Sequence, residues 1–197
     1  RSVSRGLGDV YKRQLGDGVD ASSKALKAET SISISGGELE LNSIDAAVRC
    51  VADVNISGGS TYISSAADGI QAGKNINGFP SETGTATISG GSLFISSAKR
   101  AIDAKDSLSI SGGMVFALSG SKKELEAEAD GQPYVSYKFS GSAGNDVQFG
   151  ELATVTAKYD FTSILFSSPE LAKRNRVHRH LRPAQRDRLR VMSVFSK

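Results

Sequence analysis

Tryptophan is absent from this chain of 197 residues, and aromatic residues make up only 7% of it. That is a poor supply for an enzyme built around one deep pocket, and it turns the reading towards a repetitive fold with many turns. Cysteine occurs once, as Cys50, so no disulfide can form within the chain. The two histidines, His178 and His180, both lie near the C-terminal end. The body of the chain therefore has no histidine for proton transfer, and no other acid–base pair is identifiable. No signal peptide and no membrane span is seen; the true N-terminus is expected to be missing, so this does not bear on secretion.

A basic core is also lacking. The formal net charge is +3, but residues 1–14 carry four basic and one acidic side chain, and residues 173–197 nine and one. Residues 15–172 keep 11 basic and 19 acidic groups, a net of −8, so no nucleic-acid partner is expected. Residues 1–14 (RSVSRGLGDVYKRQ) resemble the translated adapter read-through of metagenomic assemblies and are set aside. The tail from Lys173 has no apolar period. With one choice of codons, reading it one base later gives Ser-Gly-Thr-Glu-Tyr-Thr-Val-Thr-Tyr, a turn and an alternating strand. A frameshift and a disordered tail are therefore expected at residues 173–197.

What is abundant is glycine, with 21 residues, and it is placed periodically. Ile-Ser-Gly-Gly occurs at Ile34–Gly37, Ile56–Gly59, Ile88–Gly91 and Ile110–Gly113, at spacings of 22, 32 and 22. The interval predicts a solenoid of about 22-residue coils, with a ten-residue loop inserted at Ile76–Thr85. Aligned coils give apolar columns: Ile32, Val54, Ala86, Leu108; then Ile34, Ile56, Ile88, Ile110; then Leu39, Thr61, Leu93, Val115; then Leu41, Ile63, Ile95, Ala117. A third face reads Val19, Val48, Ile70, Ile102, followed by Ala21, Cys50, Ala72, Ala104. Alternation by two predicts three short strands per coil, with a sharp glycine turn between the first two. The expected class is all-β, a right-handed single-stranded parallel β-helix, its hand taken from the rule for parallel crossovers. Cys50 is expected to be a packed core thiol.

The expected organisation is an artefactual segment at 1–14, coils at 15–120, a C-terminal β segment at 121–172 and the tail at 173–197. The period breaks after Ser121; Lys122–Asp130 reads as a short helix or an exposed loop, and alternation resumes in Pro133–Gly141 and Asp146–Phe166. This segment is expected to pack on the coils or cap their last open edge.

Two stretches, DGVDASSKALKAETSISISGGELELNS and AADGIQAGKNIN followed by ATISGGSLFISS, together with FTSILFSSPEL at Phe161–Leu171, resemble the calcium-binding, carbohydrate-binding β-helix family of clostridial-type bacterial surface proteins. The resemblance implies a pectate-lyase-like fold without lyase activity as its defining trait. It also implies bound calcium and a secreted or surface-attached module for plant cell-wall polysaccharide, including acidic, pectin-like sugar. A monomer within a larger surface protein, without membrane insertion, is expected. The Asp-Gly-Ile turn of the family is kept at Asp17-Gly18 and Asp68-Gly69 and replaced by Ala46-Ala47 and Arg100-Ala101.

Candidate site residues follow from stacking. Asp17, Asp20, Asp45, Asp68 and Asp103 fall at or near the turn before the third strand. By spacing alone each reads as solvated or as an Asx cap; the resemblance makes them calcium ligands, with Asp45 and Asp68 the preferred pair. The outward column Glu40, Tyr62, Phe94, Phe116 is an aromatic strip. It can stack on sugar rings or seat Phe161 and Phe166, and the second reading is preferred. Arg49, Lys99 and Arg100 read most simply as partners of nearby aspartates. The sharper readings make them receptors for uronic acid carboxylates or, for an arginine beside calcium, a lyase base. A noncatalytic carbohydrate-binding module leads; a pectate-type lyase and a structural adhesin or spacer are the alternatives.

Overall fold

The computed structural model describes residues 23–76, 78–81, 83–123, 125–128 and 131–171, and the backbone of 192–195. The regular structure of the described residues is β with almost no helix, in mixed sheets that do not close into a barrel. Strands β1 (Leu26–Ala28), β3 (Val48–Cys50), β5 (Ile70–Ala72) and β7 (Ile102–Ala104) form one parallel sheet in that order. The long strands β2 (Ile32–Ser43), β4 (Val54–Ser65), β6 (Ala86–Ser97) and β8 (Leu108–Ser119) form a second parallel run. This sheet continues in antiparallel sense through β12 (Phe161–Ser167) and β9 (Tyr134–Gly141). The remaining sheet holds β11 (Ala153–Thr156), β10 (Asp146–Phe149) and β13 (Met192–Phe195), all antiparallel.

The chain alternates between the two parallel sheets, and the sequence columns become ladders. Ile34, Ile56, Ile88 and Ile110 lie in register across β2, β4, β6 and β8. They fill the space between the sheets with Val48, Ile63, Ile70, Leu93, Ile95 and Val115, all buried. The inserted loop leaves and rejoins one coil at Gly73 and Gly84; a Cβ on Gly84 would lie 2.2 Å from Gly73 Cα. Asp53 and Asp106 accept from the amides of Thr85 and Gly84, at 2.8 and 2.7 Å, and pin the loop's return.

Two expectations are corrected. The first coil's short strand is Leu26–Ala28, whose partners are Val48–Cys50, not Val19 and Ala21. The 22-residue step back from Val48 lands on Leu26, and the Asp-Gly-Val cue at residue 17 lies outside that step. The long strands are also not split at the glycine pair: each runs 12 residues through it. The pair is a bend within a strand, marked by register shifts after Ile34 and Ile88. The second glycine has φ between 76° and 87° in all four coils. Close stacking adds a further demand: a Cβ on Gly58, Gly90 or Gly112 would come within 2.4–2.5 Å of a carbonyl oxygen of the coil before.

A buried serine ladder also recurs: Ser43, Ser65, Ser97 and Ser119, each at the end of a long strand. Ser65 Oγ donates within reach of Asp45 O (2.6 Å) and Asp68 O (2.9 Å), and Ser119 Oγ donates to Lys99 O at 3.0 Å. These hydroxyls satisfy the carbonyls that the chain exposes inwards as it turns towards the short strand.

The last coil is covered. Strand β12 lies antiparallel on β8 with Phe166 opposite Phe116, and β9 lies on β12. A second apolar cluster forms here from Phe116, Leu118, Val147, Phe149, Phe161, Ile164 and Phe166. Phe149 stacks on Phe166 with centroids 4.0 Å apart. Of residues 122–130, those described carry no regular element, in line with a loop. From the tail expected to be disordered, Met192–Phe195 pairs with β10; the rest of that tail, and residues 1–14, lie outside the described residues.

Candidate functional site

The outer face of the long-strand sheet carries the aromatic column in register: Glu40 opposite Tyr62, Tyr62 opposite Phe94, Phe94 opposite Phe116. The column has two fates. Phe116 is fully buried, with Phe166 against it edge-on at 5.4 Å, so it serves as the seat for the C-terminal segment. Phe94 is half-buried at the margin of that cluster. Tyr62 is 43% exposed, and its ring lies parallel to that of Phe94 within 6°, centroids 4.9 Å apart. At that separation the rings stack rather than lie side by side. One face of Tyr62 is taken by Phe94, and the next rung on its other side is Glu40.

Glu40 and its neighbour Asn42 are both exposed, and the Asn42 amide donates to Glu40 Oε1 at 3.0 Å. The arrangement offers one aromatic face, a carboxylate, a primary amide and the Tyr62 hydroxyl. It has the means to bind a polar ring through one apolar face and several hydrogen bonds.

The charged residues meet at the other sheet. Lys24, Ala46, Asp68 and Arg100 each stand two residues before their short strand, so Lys24, not Asp17, is the first coil's counterpart of Asp68. Lys24 Nζ sits 2.7 Å from Asp45 Oδ2, with its side chain only 8% exposed. Asp68 accepts from the Arg100 amide at 2.8 Å and from Gln71 Nε2 at 2.7 Å. Asp103, 6% exposed, lies 2.6 Å from Arg100 and 2.8 Å from Lys74. Arg49 donates to Asn75 O at 2.9 Å, and Lys99 is exposed at the turn before Arg100.

These contacts decide how well the described aspartates suit calcium. A calcium ion takes six to eight oxygen ligands, carboxylates prominent among them. Asp45, Asp68 and Asp103 instead face ammonium, guanidinium and N–H groups. No group of three or more His, Cys, Asp or Glu that could hold a metal occurs among the described residues. Paired in this way, Asp45, Asp68 and Asp103 do not fit the ion, and Asp17 and Asp20 lie outside the described residues. Cys50 is buried, and burial pushes its thiol above the ordinary range, as befits a core side chain rather than a nucleophile.

Sequence reading found the aromatic column and the contact of Arg100 with Asp68, but not the partner of Arg49, which bonds the Asn75 carbonyl rather than Asp45. It missed Lys24, hidden by the wrong first-coil register, and it missed Asn42, which joins the site only through its bond to Glu40. Residues 8–69 match a family model described as carbohydrate-binding domain-containing protein, a stretch that includes Glu40, Asn42 and Tyr62. No curated protein and no solved structure matches the chain.

Proposed function

We propose that the protein is a noncatalytic carbohydrate-binding module whose ligand lies over the Glu40 rung and stacks on the open face of Tyr62. The observation that carries this reading is the stack itself: Phe94 covers one face of Tyr62, and at the next rung an acid replaces the aromatic. A pyranose placed there extends the stack, its C–H face on the tyrosine ring and its hydroxyls at Glu40 and Asn42. The family match over residues 8–69 supports a carbohydrate as the ligand.

Plant cell-wall polysaccharide is the substrate class drawn from the resemblance. For an acidic, pectin-like chain, Arg49 and Arg100 would have to receive carboxylates, but both are engaged with protein oxygens. The open face of Tyr62 therefore favours a neutral chain. The parallel ladders support reading the coils as a right-handed single-stranded parallel β-helix. A secreted or surface-bound location, in a monomer within a larger protein, belongs to the same proposal. Calcium, implied by the resemblance, is left out of this proposal, because Asp45, Asp68 and Asp103 are paired with cations and N–H groups.

Pull-down with insoluble cellulose, and with calcium-free pectate gel as the acidic arm, tests the reading. Wild-type chain is retained on the neutral polymer, and Tyr62→Ala, at an exposed position, reduces retention at least tenfold with an unchanged melting temperature. Equal retention of both proteins, or capture by pectate alone, contradicts it. Retention on neither polymer leaves the structural spacer as the better account.

A further inference from the structure

Beyond β7, where the short-strand sheet ends, the chain leaves a half-open cavity of about 210 Å³. It lies on the sheet opposite Tyr62 and shares no residue with the aromatic column. We propose that this cavity is a second carbohydrate subsite, one that takes a single neutral pyranose at a chain end; the proposal rests on the carbohydrate-binding reading above.

Size sets the first limit. Pockets that enclose drug-sized ligands run roughly 300–1,000 Å³, so this one holds one sugar ring and not a chain passing through. The lining sets the second. Ile102, Leu108 and Leu125, at 4%, 5% and 9% exposure, leave a small apolar base. Asp106, Lys123 and Glu126, all exposed, stand at the rim. A small apolar base below a larger rim of carboxylate and ammonium groups suits a pyranose, which has a short apolar C–H face and a belt of hydroxyls that both donate and accept. Asp106 and Glu126 accept from hydroxyls, and Lys123 donates to them.

Charge sets the third limit. Arg100 also lines the cavity, but its guanidinium is bound to the buried carboxylate of Asp103 at 2.6 Å, and Lys74 completes that carboxylate's neutralisation at 2.8 Å. Among the described residues, the rim groups outside this network are two acids and one lysine, a net of −1. A uronic acid carboxylate would meet repulsion there, whereas a neutral ring would not. Asp106 is held in place by the Gly84 amide at 2.7 Å, so the inserted loop of the coil before orients one wall of the cavity.

The distinction between chain face and chain end gives the test. Soluble mixed-linkage β-glucan is offered to the full chain intact and, at equal mass, after partial acid hydrolysis, with binding measured by calorimetry. Hydrolysis multiplies chain ends at constant ring content. The proposal expects more bound protein per gram after hydrolysis, with that gain lost in the Lys123→Ala/Glu126→Ala double variant, and kept in Tyr62→Ala. The two exposed substitutions are expected to leave the melting temperature unchanged. No gain on hydrolysis in wild type, or a gain that survives in the double variant, overturns the cavity proposal. If Tyr62-dependent binding to intact glucan persists in that case, the platform reading stands and only the cavity falls. If wild type binds neither preparation, both fall.

Discussion

At the scale of single residues, Thr61 shows how strictly the ladder assigns its positions. It occupies a column otherwise filled by Leu39, Leu93 and Val115, is fully buried, and its hydroxyl finds no hydrogen-bond partner among the described residues. A buried unsatisfied polar group costs about 1–3 kcal/mol. Thr61→Val keeps the branched shape and removes the cost, so it is expected to stabilise the fold by about 1 kcal/mol or more. Urea denaturation checks this: a midpoint that rises with unchanged slope supports it, and a fall shows that the hydroxyl is satisfied in solution. The serine ladder is the contrasting case, because Ser65 and Ser119 have partners on the turning chain. Both patterns were visible as repeated letters in the sequence. Which hydroxyl was satisfied was not, because the partners are backbone carbonyls brought close only by stacking.

At the scale of elements, the decisive contact is the seating of β12 on β8. An open coil end exposes unpaired N–H and C=O groups and apolar side chains. Here Phe166 covers Phe116 and stacks on Phe149. Phe166→Ala is expected to cost about 3–5 kcal/mol, the range for emptying a buried aromatic site. Chemical denaturation followed by circular dichroism measures it, and a loss below 1 kcal/mol would show that the cap contributes little. The sequence indicated that the C-terminal phenylalanines needed burial and that the aromatic strip was available. It did not indicate how far the cover reached. That depends on the antiparallel register of β12, which ends the strip's burial between Phe116 and Tyr62 and so leaves the candidate site open. Coil length was legible because the 22-residue step is repeated in the letters. The first coil's short strand was not, because Asp17-Gly18 imitates the Asp68-Gly69 turn at the wrong distance.

At the scale of the whole molecule, the charged side of the short-strand sheet is held by fixed cations. Lys24, Lys74 and Arg100 lie beside Asp45, Asp103 and Asp68, across or between coils. Ion pairs of this kind weaken with ionic strength, whereas a bound divalent ion is removed by chelators. The melting temperature is therefore expected to be unchanged by EDTA and to fall slightly between low and high sodium chloride. Scanning fluorimetry distinguishes the two: a drop of several degrees with EDTA, reversed by calcium, would place an ion in the structure.

The ladder that stacks like residues over one another also exposes Tyr62 beside Glu40, and on that rung the functional account depends. The most direct measurement is amide chemical-shift mapping during titration with a soluble neutral oligosaccharide such as cellohexaose. The account predicts perturbations centred on Glu40, Asn42 and Tyr62 and weakening towards Phe116. Shifts confined to the short-strand sheet, or none at millimolar ligand, would contradict it.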